Sequence, residues 1–387
     1  MGRLKEFFHD QIETEVEAGD APQTEPEWLA EQLEGDTDEV QKALMLMDGT
    51  ETFSIPEPDM DEGYLLPRVS TEGFGERLDQ IWRTIQRFIR YLVESFTNDN
   101  KAALVACRVL SFQAENLKME ARGALMKPRR KNDRLVIQSH ITALSVFYRP
   151  PGKIGDIIAG MKTLESILND YYSYVDRTLT PGLGRITTMV RSIDPTAESF
   201  QEDALRIGQE LQRLSPTTVL NRYMEGNNPK NLLGPHILGN QRLAGVGVPN
   251  NPTLNEITQS RLTLRHSELT PRRMPNQIYL PRFNMLNTDQ CIDQVLRMTK
   301  TIKATLEGSA AAKRERALSD LTTAVNRFVE RAGELEDGQR QEKEDAQAIA
   351  QMVRVAGQWM HNPYHGLTTN ALRSMRGAIM VCRKNIE

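Results

Sequence analysis

Apolar residues recur at three- and four-residue intervals over most of this chain, the spacing of amphipathic helices. Ile81, Trp82, Ile85, Phe88, Ile89, Leu92 and Phe96 form one stripe, broken by Asn98-Asp99-Asn100. A second helix is predicted from about 101 to 126, carrying Leu104, Val105, Val109, Phe112, Leu117 and Leu125. So short a connection predicts antiparallel packing of the two. Ile154, Ile158, Met161, Leu164, Leu168, Tyr171 and Val175 mark another helix, which Thr180-Pro181-Gly182 should interrupt. Helical spacing resumes at Ile186, Met189, Val190 and Ile193, and again at Leu205, Ile207, Leu211 and Leu214. Toward the C-terminus, Ile292, Val295, Leu296, Met298 and Ile302 lead to Gly308, after which Leu318, Leu321, Val325, Phe328, Ala332 and Leu335 step in heptad fashion. The register passes through polar Gln339 and Glu342 and resumes at Ala346, Ile349, Val353, Ala356 and Met360. That pattern fits either one long helix with a coiled-coil-like seam or a helical hairpin turning at Glu336-Asp337-Gly338-Gln339. The glycine and the polar interruption favour the hairpin. Asn362-Pro363 ends the element, and a last helix carries Leu372, Met375, Ile379 and Met380.

Two stretches depart from this pattern. Residues 134–148 fit strand or helix equally. From about Met224 to Phe283, Gly, Pro and Asn become frequent, and short alternating runs appear in Arg261-Leu262-Thr263-Leu264-Arg265 and Gln277-Ile278-Tyr279-Leu280. Those are the marks of small strands joined by turns. The expected fold is therefore mainly α: a multi-helix bundle with a long C-terminal helix or helical hairpin and a small β-containing insertion. Its expected divisions are an acidic segment and linker over 1–72, a helical body over 73–223, a β-rich insertion over 224–285 and a helical region over 286–387.

Charge changes the picture more than composition does. With 39% hydrophobic and 26% charged residues in 387, the chain reads as globular, with room for two or three domains. Residues 1–72, however, hold 20 acidic and 4 basic side chains, a net of −16, leaving 32 acids against 44 bases and a net of +12 for the remainder. Within the acidic part, Leu4, Phe7, Phe8 and Ile12, and then Trp28, Leu29, Leu33, Val40, Ala43, Leu44 and Met47, have helical spacing. Each group predicts a short amphipathic helix that docks on something. Asp48 to Arg68, with Pro56, Pro58 and Pro67, reads as a linker. An acidic segment on a basic body is either a solvating tail or a mask over a surface suited to polyanions.

No apolar run approaches bilayer length, and the N-terminus has no secretory h-region. Cys107, Cys291 and Cys382 are odd in number and widely spaced, which argues against a disulfide framework and for a reducing compartment during synthesis. Nucleotide-binding loops, a nucleophile elbow and Cys-x-x-Cys pairs are lacking. His361 and His365 have helical metal-face spacing, but Pro363 lies between them, so they read as two loop histidines. No catalytic, metal or cofactor site is expected, and the chain reads as non-enzymatic. Lys127, Arg129, Arg130, Lys131 and Arg134, together with Arg272 and Arg273, are candidate phosphate contacts. Arg83, Arg87 and Arg90 line one side of the stripe at 81–96. Solvated helix faces or cations near helix C-termini account for the same residues. The apolar stripe at 81–96 fits core packing better than a membrane surface.

Ser70-Thr71-Glu72-Gly73 falls at the end of the acidic linker, where the charge switches and where an exposed chain is open to cleavage. An acidic leader ending there, followed by a basic helical body with a mid-chain β insertion, resembles the internal head proteins of giant tailed bacteriophages. The tract Leu168-Asn169-Asp170-Tyr171-Tyr172-Ser173-Tyr174-Val175 with Thr180-Pro181, and Leu238-Gly239-Asn240-Gln241-Arg242-Leu243, look like segments of that family. The resemblance implies a structural protein synthesised in the host cytoplasm and stored inside the phage head. It further implies processing after Glu72 by a maturation protease, non-specific contact with packaged DNA, and association with capsid proteins, other internal head proteins or further copies of itself. The rival expectation is a cytosolic helical adaptor whose acidic tail docks a protein partner. A convergent pocket in the β-rich stretch would instead favour an enzyme.

Overall fold

The computed structural model describes residues 24–48, 100–122 and 134–386, apart from 227, 250–251, 258, 269–271, 308, 334, 336–339 and 362. The stripes at Leu4–Ile12 and Ile81–Phe96 lie outside the described residues. In chain order, the first elements are α1 (Glu25–Gln32), α2 (Thr37–Asp48), α3 (100–122), β1 (Arg134–Ile137), α4 (Ile141–Leu144) and α5 (Ile154–Tyr174). Then follow α6 (Thr180–Ser192), α7 (Phe200–Leu214), α8 (Pro216–Val219), β2 (Leu232–Ile237), β3 (Gln241–Val246), α9 (Leu254–Ile257), β4 (Arg261–His266) and β5 (Ile278–Pro281). The chain closes with α10 (Met285–Leu306), α11 (Ser309–Ala332), α12 (Arg340–His361) and α13 (Tyr364–Ile386). The fold is mainly α, a helical bundle with a small antiparallel β region.

Helix α13 is the axle of the bundle. Leu367, Ala371, Leu372, Met375, Ala378 and Cys382 are fully buried, and so are polar residues on its other faces, such as Ser374 and Asn385. A helix covered on all sides needs partners all round, and α2, α4, α5, α10 and β1 supply them. A second tier pairs α6 with α11 and α7 with α12. One continuous apolar core runs from Trp28 to Cys382, so burial rather than local propensity holds the tiers together. Local signals set the helix starts. The Asn284 side chain accepts from the Asn287 N–H at 2.9 Å ahead of α10, and Asp36 Oδ1 accepts from the N–H groups of Asp38 and Glu39 at 2.8 and 3.1 Å ahead of α2.

Several sequence expectations are resolved by these elements. The heptad segment is two helices, α11 and α12, which touch each other, so the hairpin alternative holds. The ambiguous 134–148 stretch is both strand and helix: β1 pairs antiparallel with β5, Arg134 opposite Pro281, and α4 follows. The predicted runs at 261–265 and 277–280 are β4 and β5, and β2-β3-β4 form a three-stranded antiparallel meander. Thr180-Pro181-Gly182 does not break the helix. A π-helical turn, Val175–Leu179, joins α5 to α6 without a break, and this wider turn just ahead of Pro181 accommodates a residue that has no N–H for the ladder. The Thr180 hydroxyl also donates to the Val175 carbonyl at 2.7 Å. His365 is not in a loop but buried in the first turn of α13, because Pro363 ends one helix and its carbonyl accepts from Leu367 to begin the next.

Candidate functional site

The acidic segment is where the structure gathers charge. Residues 24–48 carry 8 acidic side chains and 1 basic one, yet α1 and α2 bury Trp28, Leu29, Val40, Ala43, Leu44, Leu46 and Met47 in the common core. The stripe from Trp28 to Met47, expected as one short amphipathic helix, is divided into two by the turn at 33–36, and the dock it finds is the chain's own body. Trp28 meets Phe112 of α3 with ring centroids 5.8 Å apart, and α2 lies along α13.

At the end of α2 a cleft of about 1010 Å³ opens, bounded by Met47 and Asp48, by the 138–143 turn, by the tip of the β2–β3 hairpin and by one face of α13. Gly366, Thr369, Asn370, Arg373, Arg376 and Met380 line it. Their three- and four-residue spacing is that of a single helical face. Asp48 is its hub. Its Oδ1 lies 2.6 Å from Arg376 Nε, off hydrogen-bond alignment and so a charge contact. The same oxygen lies 3.3 Å from His140 Nε2. Glu25 of α1 reaches Arg376 NH2 at 3.8 Å, and Arg373 Nε donates to the Leu46 carbonyl at 3.0 Å. Burial would raise the Asp48 carboxyl, but its bond to His140 and the Arg376 charge outweigh burial and hold it below the usual carboxylate range. Burial presses the Arg373 guanidinium down from its usual value. His140 Nδ1, Gln241 Oε1 and Thr369 Oγ1 line the same cleft, buried and without hydrogen-bond partners.

The hairpin tip forms part of the wall for a backbone reason. Gly239 and Asn240 both have positive φ (81° and 56°) in the tight three-residue connection, 238–240, between β2 and β3. Asn370 Nδ2 donates to the Leu238 carbonyl at 2.5 Å, and a Cβ on Gly239 would lie 2.3 Å from Asn370 Oδ1. Only glycine admits α13 so close.

Because the Asp48 carboxyl is depressed in the folded state, its contribution to stability is complete above its ordinary value of about 4 and is lost as pH falls through the depressed one. D48N is therefore expected to lower the thermal midpoint at neutral pH, with the difference from the parent closing in acid. A gap that stays constant with pH would show that the charge contact does not hold the clasp.

The sequence-derived sites fare differently. Ser70, Thr71, Glu72 and Gly73 lie outside the described residues, as do Lys127, Arg129, Arg130 and Lys131. Arg134 is exposed at the start of β1. Arg272 pairs with Glu268 at 2.7 Å, and Arg273 beside it is exposed. Sequence reasoning missed Arg373, Arg376, His140 and Asp48. The signal for the first two is the polar face of the last helix, beside its apolar positions Leu372, Met375 and Ile379. It also missed that Cys382 lies beside Cys291 in the core, where that neighbour and burial push its thiol well above the usual range, and that all three cysteines are free and buried. Among the described residues no group of three or more His, Cys, Asp or Glu side chains is close enough to hold a metal ion, and no helix is long and apolar enough to cross a membrane. No family model matches the chain, and no match emerges among curated proteins or solved structures.

Proposed function

We propose that this chain is a non-enzymatic structural protein of the interior of a phage head, made with an acidic propeptide that is cleaved after Glu72. The observation that carries the reading is the clasp of the acidic α1–α2 pair on the cationic face of α13, through Asp48, Glu25, Arg376 and His140. An acidic leader that only solvates has no need of a docking face. One that masks a basic body does, and this one sets Asp48 and Glu25 against the Arg376 guanidinium while burying its own apolar side chains. The adaptor alternative needs the acidic arm free for a partner, but the apolar faces of α1 and α2 are already spent inside the chain. In this reading the segment suppresses contact with DNA during assembly. Its release leaves a body of net +12, suited to packaged DNA, to capsid or other internal head proteins and to further copies of itself. Cleavage alone does not free α1 and α2, because the buried contacts persist without the covalent link.

The deciding experiment is the intact mass and N-terminal sequence of the protein recovered from its native source. A chain beginning at Gly73 supports maturation by cleavage, and a separate fragment co-purifying with it measures how firmly the clasp holds. A chain still carrying Met1 or Gly2 removes the propeptide reading.

A further inference from the structure

A second cluster lies on the β2-β3-β4 meander, beyond the hairpin tip that walls the first cleft. His236 of β2 is the register partner of Arg242 of β3, and Arg242 is the partner of Arg265 of β4. Directly opposed residues on neighbouring strands point to the same face. An imidazole and two guanidinium groups therefore stand in one row across the meander. Like charges placed opposite each other destabilise a sheet, and here Arg265 stays exposed while Arg242 is half-buried. Arg242 spends one N–H on the Gly234 carbonyl at 2.9 Å. Among the described residues neither arginine is in an ion pair. Glu268, the acid acting on His236, is already engaged by Arg272, and Glu225, the one acting on Arg242, is exposed.

The backbone beside the row is strained. Phe147 and Tyr148 both occupy the left-handed region (φ 51° and 59°) in a two-residue turn closed between Val146 and Arg149. Asn and Gly favour such a turn, and bulky aromatic residues are costly in it. Asn240 holds it in place: its Oδ1 accepts from the Tyr148 N–H at 2.7 Å, and its own N–H donates to the Ser145 carbonyl at 3.1 Å. The turn brings the Phe147 ring to 4.5 Å from the His236 ring. Arg149 stands 6.0 Å from the same aromatic ring, a third cation at the margin. Within the row, His236 Nδ1 and Arg242 Nε are buried without hydrogen-bond partners. Burial, and then the Arg242 charge, hold the His236 imidazole below its usual range, with Glu268 opposing them. Two guanidinium groups and an imidazole with a partnerless nitrogen meet where the sheet alone leaves repulsion unrelieved.

We propose that the His236–Arg242–Arg265 row is a phosphate-binding site, taking a phosphate mono- or diester. The planar guanidinium forks match the ester oxygens, and an anion there relieves the cross-strand repulsion. The inference does not rest on cleavage of the N-terminus, since a full-length chain carries the same row. Failure of one reading therefore leaves the other standing.

The test uses the full-length chain at low salt with two probes: a fluorescein-labelled mixed-sequence single-stranded DNA oligonucleotide followed by anisotropy, and inorganic phosphate followed by calorimetric titration. R242Q/R265Q is compared with the parent, with R265Q alone as the variant whose exposed position spares the fold, and with R206Q as a charge-loss control on α7. If the site takes nucleic acid backbone, oligonucleotide binding weakens at least about tenfold in the double variant. Its salt dependence also becomes shallower, by about 0.7 in log–log slope for each phosphate no longer neutralised. If it takes a small ester, phosphate binds saturably and the same substitutions abolish it while the oligonucleotide does not bind. Binding of neither probe, or binding that R265Q and R242Q/R265Q leave at the parent level, overturns the proposal.

Discussion

Replacing Arg314 by methionine is expected to destabilise the protein by about 3–5 kcal/mol, the cost of breaking one partner out of a buried ion pair. Arg314 has no solvent exposure. Its NH1 donates to Asp176 Oδ1 at 2.9 Å, its NH2 donates to the Thr305 carbonyl at 2.7 Å, and its guanidinium stands 5.6 Å from the Tyr364 ring. Asp176 sits on the π-helical turn between α5 and α6. Burial raises its carboxyl above the usual range even with Arg314 beside it. A carboxyl raised in the folded state stabilises most at low pH, and that contribution is lost as pH rises through its folded value. The R314M penalty should therefore be greatest at neutral pH and shrink in mild acid, where Asp176 takes up a proton. The double variant D176N/R314M should recover part of the loss, because removing both charges removes the desolvation of each. Urea midpoints of the parent, both single variants and the double variant at two pH values decide it. A penalty for R314M below about 1 kcal/mol, the level of an exposed pair, would mean that the pair does not tie the tiers together.

Trp359→Ala carries the other large expected effect, about 3–5 kcal/mol for loss of a buried tryptophan. Trp359 is 1% exposed on α12 and connects three parts of the chain. Its indole N–H donates to the Ser260 carbonyl at 2.8 Å, just ahead of β4. Its own carbonyl accepts from the Tyr171 hydroxyl of α5 at 2.6 Å. Trp359→Phe separates packing from the polar bond. It keeps most of the volume and leaves the Ser260 carbonyl without its donor, for an expected loss of about 1–3 kcal/mol. If alanine and phenylalanine cost the same in chemical denaturation, packing is not what the residue contributes. If alanine costs less than about 1 kcal/mol, the β region is not anchored through this side chain.

Both residues show where reading from sequence stops. Trp359 adjoins the apolar register position Met360 but is absent from the heptad reading, and Arg314 reads as one more cation in the polar run Lys313-Arg314-Glu315-Arg316. Helical spacing alone placed α5, α7, α10 and α13, because each keeps an apolar face over several turns. It also marked one helical stripe, Trp28 to Met47, inside the acidic stretch, which folds as the pair α1 and α2. What it could not say was that their partner is α13, more than three hundred residues away, or that β1 pairs with β5 across about 140 residues. Periodicity names a face and leaves its partner open. The strand at 134–137 stayed ambiguous because four residues are too few for one period to outweigh another. The cationic cluster that local density picked out at Arg272 and Arg273 is exposed, and Arg272 is paired, whereas the rows that gather charge join residues that are neighbours only in space.

Element type, the mainly helical class, the turn-rich strand region and the opposition between an acidic front and a basic remainder are all properties of local order along the chain. They survive without knowledge of the fold, because residue spacing and composition cause them. The clasp of Asp48 on Arg376 and His140, the burial of Arg314 against Asp176, and the alignment of His236, Arg242 and Arg265 across three strands belong to the tertiary structure alone. Each depends on bringing distant segments within a few ångströms, and only the shared burial of their apolar faces determines which segments meet.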